Sequence, residues 1–244
     1  KMGKRIQVEL VARSGFGFGD LEAPYWFIGL EPGLGRKEHN ELKDRIDLRI
    51  SAWEEKEIQD LYEYHYRIGV DWWFRPKAKL QKTWAKLIRM LFVLDGKPVD
   101  VDSIREFQSD KWGRTKSKTC LLELFPLPCP STKAEHWKSC YDIERRFYEE
   151  RCRKIRLPRF HQLITEYRPA AVIFYGLKKM EDWKLIAGID SKCFMSEGSM
   201  GVKNGTLYYV VKHPAAKGVS NMYFEDAGTD VRRLLNGLIH NRNN

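Results

Sequence analysis

Four short apolar runs, each halted by turn residues and set apart by stretches of helical spacing, constrain this chain most. They are Tyr25–Ile28 before Gly29, Thr119–Phe125 before Pro126, Ala171–Tyr175 before Gly176, and Gly205–Lys212 before His213-Pro214. A continuous apolar run bounded by turn residues suits a strand buried on both faces. Between the runs, Lys79–Leu94 places Leu80, Trp84, Leu87, Ile88 and Leu91 on one side of a helix. Strands that alternate with helices predict an α/β fold: one domain over residues 1–244, with a central parallel four-stranded sheet flanked by helices on both faces. No shift in composition marks a domain boundary, and no internal repeat is present.

The remaining segments are read around that frame. Residues 6–19 alternate weakly and end in Gly15-Phe16-Gly17-Phe18-Gly19, expected to be a flexible aromatic loop. No Lys-Ser/Thr pair follows these glycines, which excludes a P-loop. Leu34–Lys56 is polar and helical in part, and Ile58–Trp73 carries mixed helical spacing. Residues 134–166 are expected to form helical segments broken near Pro158. Lys178–Ile186 is a short helix, and Asp226–His240 closes the chain.

Composition matters chiefly through charge. Lys and Arg number 43 against 33 Asp and Glu, a net charge of +10. A basic protein favours polyanionic partners, nucleic acid first. No segment approaches the roughly 18 apolar residues of a membrane span, and Lys1-Met2-Gly3-Lys4-Arg5 lacks the apolar core of a signal peptide. Cys120, Cys129, Cys140, Cys152 and Cys193 are odd in number and contain no CxxC pair. Reduced thiols in a cytoplasmic chain are expected, without a metal or cofactor.

The chemistry concentrates where the strands end. Glu31 sits in the tight turn Gly29-Leu30-Glu31-Pro32-Gly33, His213 follows the fourth run, and Glu123 lies within the second. In a parallel sheet the carboxyl ends lie along one edge, where ligands bind. Strict alternation in the fourth run puts Tyr209, Val211 and His213 on one face and Lys212 on the other, which argues against a Schiff-base lysine.

These segments resemble the uracil-DNA glycosylase superfamily. Gly29-Leu30-Glu31-Pro32-Gly33 resembles its water-handling turn, and Leu121-Leu122-Glu123-Leu124-Phe125 its base-reading strand. Arg168-Pro169-Ala170-Ala171-Val172-Ile173-Phe174-Tyr175-Gly176 is similar to its core strand, and His213-Pro214-Ala215-Ala216 to its His-Pro-Ser-Pro motif. The four occur in the family's order and frame residues 24–221. Three departures stand out: the branch with Glu keeps it one residue earlier, at Leu30 here; Glu123 replaces an Asn; and Ala-Ala replaces Ser-Pro.

The resemblance implies a metal-independent, monofunctional DNA glycosylase, a monomer that flips a base out of DNA and leaves an abasic site. Breaking an N-glycosidic bond builds positive charge on the sugar and negative charge on the base. Glu31 would orient water and stabilise the cation, and His213 would donate to the departing base. Glu123, Phe125 and Leu30 would form the base pocket, with an aromatic from Trp72–Phe74 as another stacking candidate. Gly33, Lys116, Lys118, Lys217, Ser220 and Asn221 would contact DNA. An ionised Glu123 only accepts hydrogen bonds and matches the amino group of a cytosine-type base. The expected substrate is therefore a modified cytosine, such as glucosylated hydroxymethylcytosine of phage DNA in an antiphage defence role, or plain uracil in repair. Two other readings are an inert DNA-binding domain on this fold, and a metal-dependent nuclease built on Glu31, Glu123 and Asp226.

Overall fold

A computed structural model describes residues 12–34, 39–54, 56–130, 134–141, 143–189 and 198–242. Cys193 and the alternation over residues 6–11 lie outside them. The elements follow as β1 (Gly17–Gly19), β2 (Tyr25–Gly29), α1 (His39–Ser51), β3 (Ile58–Gln59), α2 (Leu61–Arg67), α3 (Lys82–Leu94), α4 (Val101–Asp110) and β4 (Thr119–Glu123). After these come α5 (Ala134–Cys140), α6 (Arg145–Tyr167), β5 (Ala171–Tyr175), α7 (Met180–Ala187), β6 (Gly198–Lys203), β7 (Thr206–Val211) and α8 (Asn221–Arg242). Short 3₁₀ turns occupy Asp71–Phe74 and Leu177–Lys179.

Among the described residues the sheet is seven-stranded and mixed, in the order β3-β1-β4-β2-β5-β7-β6, rather than four-stranded and parallel. The four expected strands are its centre: β2 runs parallel to both β4 and β5, and β5 parallel to β7. Three short strands extend it. β1 pairs antiparallel with β4 and parallel with β3, and β6 pairs antiparallel with β7. β6 and β7 are joined at Asn204-Gly205, both at positive φ, the residue types a two-residue hairpin turn requires.

β1 replaces the expected flexible loop. Its glycines permit a close approach: a Cβ on Gly17 would meet the Leu121 carbonyl oxygen at 1.9 Å, and one on Gly19 the Thr119 oxygen at 2.3 Å. The glycines therefore serve strand packing.

Alternation along the central strands feeds two cores. Trp26, Ile28, Leu122, Val172, Phe174 and Val210 face α6 and α7, packing on Phe160, Leu163, Trp183 and Ile186. Phe27, Leu121, Ile173, Leu207 and Tyr209 face α3, α4 and α8 through Leu87, Leu91, Ile104, Phe224 and Val231. The helices thus cover both faces, as expected. The break expected at Pro158 does not occur; α6 runs through it from Arg145 to Tyr167. An interior proline costs about 3 kcal/mol in an isolated helix. Here Phe160, Leu163 and Ile164 bury against the sheet, and buried Arg156 ties the helix to the carbonyls of Ala12, Gly15 and Glu123. No helix among the described residues is long and apolar enough to cross a membrane.

Candidate functional site

The carboxyl edge of β2, β4, β5 and β7 opens into one cleft of about 1010 Å³. Glu31, Glu123 and His213 all line it, with Leu30 and Gly33. Register explains the meeting. Gly29 pairs with Glu123 across β2 and β4, and the ladder continues past the strands through Leu124 N–H to the Gly29 carbonyl and Phe125 N–H to the Leu30 carbonyl, each 2.8 Å. Glu31 therefore leaves the sheet just beyond Glu123.

Glu31 is held from α6. Arg145 Nη2 donates to Glu31 Oε2 at 2.5 Å, while Arg145 Nε donates to Glu149 Oε1 at 2.8 Å. Lys179 also donates to Glu149, at 2.8 Å, so a charge chain fixes the guanidinium. The Glu31 side chain is only 8% exposed. Burial raises its pKa above the ordinary carboxylate value, against the opposing pull of Arg145. Nothing local in the sequence points to Arg145, which stands 114 residues from Glu31.

Glu123 is organised by Tyr175. The Tyr175 hydroxyl donates to Glu123 Oε1 at 3.1 Å, and buried Glu123 Oε2 has no hydrogen-bond partner. Burial, and secondarily the negative charge of Glu31, push the Glu123 pKa up to about 8. At that value the neutral carboxyl predominates at pH 7, whereas the sequence reading takes the group as ionised and purely accepting. Arg156 does not reverse this, because its guanidinium bonds backbone carbonyls, including that of Glu123.

Gly29 makes room for that tyrosine. A Cβ there would meet the Tyr175 ring and hydroxyl at 2.2–2.4 Å. Gly29→Ala is expected to displace the ring, break its bond to Glu123 and cost about 1–3 kcal/mol of stability. Denaturant unfolding of the variant, alongside Tyr175→Phe, measures this.

His213 stands beside the same ring, with centroids 5.8 Å apart. The Ala215 N–H donates to His213 Nδ1 at 3.1 Å, which makes Nδ1 the acceptor and places the proton of the neutral ring on Nε2. Burial, then the nearby Lys86 charge, lowers its pKa and keeps it neutral at pH 7. Lys86 also ties down the following loop, donating to the carbonyls of Pro214 and Val219 at 2.7 Å each. Lys212, assigned by alternation to the opposite face, borders the cleft as well, because β7 ends at Val211 and alternation stops there. Its ammonium lies 5.1 Å from the Tyr223 ring centroid.

Other expected site residues divide. Lys217 and Ser220 are exposed in the loop after His213 and Asn221 is exposed at the first position of α8, where Ser220 Oγ accepts from the Tyr223 N–H. Lys116 and Lys118 precede β4, at the amino end of the parallel strands, so the sheet separates them from the cleft edge. Lys118 is moreover paired with Asp95 at 2.6 Å. Phe125 does not line the cleft; it is fully buried in the core, beside Tyr148 and beneath Arg153 and Lys179.

The aromatic wall comes from elsewhere: Phe18, Trp53, Tyr64, Trp72, Trp73 and Trp84. Trp72 and Trp73 belong to the segment named as the second stacking candidate. His65 joins this wall, its pKa pushed down to about 4 by burial and its Nδ1 2.8 Å from the Leu61 carbonyl. Among the described residues no group of three His, Cys, Asp or Glu side chains is placed to hold a metal ion, and Asp226 does not border the cleft. No family model matches the chain, and no curated protein matches it.

Proposed function

We propose that this chain is a DNA glycosylase that hydrolyses the N-glycosidic bond of a flipped-out, non-standard pyrimidine and leaves an abasic site. One observation carries the reading: Glu31, Glu123 and a His213 whose Nδ1 accepts from the Ala215 N–H meet at one cleft with aromatic walls. The resemblance of the strand-end motifs points the same way. In this scheme Glu31 orients water and offsets the sugar cation, contributing about 10²–10⁴ in rate. His213 Nε2–H donates to the base oxygen that gains charge, worth about 10²–10³. The aromatic wall receives the base once it leaves the stack. The net charge of +10 supports a polyanionic partner.

The test is a panel of oligonucleotides carrying uracil, hypoxanthine, or cytosine with hydroxymethyl or glucosyl-hydroxymethyl at C5, with released bases identified by mass spectrometry. Release of at least one base is expected, with the strand left uncleaved at the abasic site and the rate unchanged by EDTA. Strand scission that EDTA abolishes would point instead to a metal-dependent nuclease. Binding without release would leave a DNA-binding domain on this fold.

A further inference from the structure

One wall of the cleft carries positive charge that the proposed reaction does not use. Arg45 and Arg49, one turn apart on α1, both border the cavity. Arg45 is engaged on one side, its Nη2 donating to the Leu34 carbonyl at 2.5 Å. The groups acting on the Arg49 guanidinium are two tyrosines, Tyr64 and Tyr141, and the like charge of Arg45. Burial first and then Arg45 lower its pKa, and among the described residues no carboxylate is paired with it.

Two like charges gathered at a partly dehydrated wall repel one another and favour an anionic partner. Fully buried Arg156 is satisfied by the backbone carbonyls of Ala12, Gly15 and Glu123, and three other arginines meet carboxylates. Arg145 meets Glu31 and Glu149, Arg153 meets Asp182, and Arg159 meets Glu57. Arg49 differs from Arg156 in that it lines the cleft.

Both guanidinium groups line the same cavity as Glu31, Glu123 and His213. A planar fork of N–H donors matches the oxygens of a phosphate. We propose that Arg45 and Arg49 form a phosphate subsite, holding a phosphodiester that flanks the nucleotide whose base enters between Glu123 and His213. The identity of the ligand as a nucleic-acid strand rests on the glycosylase reading; the placement of two guanidinium groups on the cleft wall does not.

The probe is a short single-stranded oligonucleotide with a tetrahydrofuran abasic analogue at its centre, so binding does not depend on base choice. Affinity is measured by fluorescence anisotropy over a salt series for the unaltered protein, Arg49→Gln, Arg45→Gln/Arg49→Gln and Arg49→Lys. Arg49→Gln is expected to bind at least about tenfold more weakly at low salt. Its plot of log K against log salt should be shallower by about 0.7 for each phosphate no longer neutralised. Arg49→Lys, which keeps the charge but loses the fork, should retain the slope with part of the affinity, and it controls for misfolding. Equal affinity and slope across folded variants would overturn the subsite, as would failure of the unaltered protein to bind the probe. The two proposals fail separately. If only the glycosylase reading is wrong, no base is released while the Arg49→Gln binding defect persists. If only the subsite is wrong, bases are released and the variants bind alike.

Discussion

Glu31→Gln and His213→Ala are each expected to slow base release by at least about 10²-fold without unfolding the protein. The choice of Gln follows from the site: an amide oxygen can still accept from Arg145 Nη2, so the guanidinium keeps a partner while the general base is lost. His213 is half-buried and bonds only locally through Nδ1 to the Ala215 N–H, so its removal spares the core. The same geometry sets the acid side of the pH profile. Glu31 must be ionised to act, and burial raises its pKa, so the rise in rate should fall above the ordinary carboxylate range. His213 has its own pKa lowered, which keeps the neutral ring available towards neutral pH. Single-turnover base release measured from pH 4 to pH 9, on roughly half-unit steps, would show the rise. A profile flat across the acid range, or a Glu31→Gln variant with full activity, would remove Glu31 from the chemistry.

The second large effect belongs to Glu123 and appears on the alkaline side. With its pKa pushed up to about 8, the carboxyl is neutral at pH 7, accepting from Tyr175 at Oε1 and free to donate from Oε2. In that state it imitates an amide and can donate to the oxygen of a 4-oxo pyrimidine or to the ring nitrogen of a cytosine-type base. Above pH 8 the ionised form only accepts, and it places a negative charge beside a base that is itself leaving as an anion. Release of uracil is therefore expected to fall by about tenfold or more between roughly pH 7 and pH 9, and to fall more than release of a cytosine-type base. Glu123→Gln, neutral at every pH, should abolish that fall and make the ratio of the two substrates independent of pH.

Stability follows the same titration. The folded pKa lies above the usual carboxylate value, so folding favours the protonated form. The contribution of Glu123 is complete below the ordinary carboxylate pKa and is lost as pH rises to about 8. The loss is on the order of a few kcal/mol, and Glu123→Gln should not show it. Urea denaturation of both proteins across that range measures it. Parallel pH dependence in the two would mean that Glu123 is ionised in the fold.

The central strands were legible in the sequence because each is a continuous apolar run stopped by Gly or Pro, a local signal of a strand buried on both faces; their order in the sheet was not. Glu31 and His213 were legible for the same reason: they follow the runs directly, and parallel pairing sends strand ends to one edge. The edge strands were not. β1 is made of glycines and one aromatic, and it becomes a strand only because β4 accepts a close backbone neighbour. Pro158 reads locally as a break, yet burial of the flanking residues carries α6 through it.

What the sequence determined by itself was therefore the layered α/β plan and which residues stand at strand ends, because both depend on neighbours along the chain. The state of those residues was decided only in three dimensions. Arg145 reaches Glu31 from 114 positions away, and Tyr175 reaches Glu123 from 52. Phe125 turns into the core instead of the cleft, and Lys116 and Lys118 fall at the opposite end of the sheet. Protonation and orientation depend on burial and on through-space partners, which contacts distant in sequence create and residue identity alone does not encode.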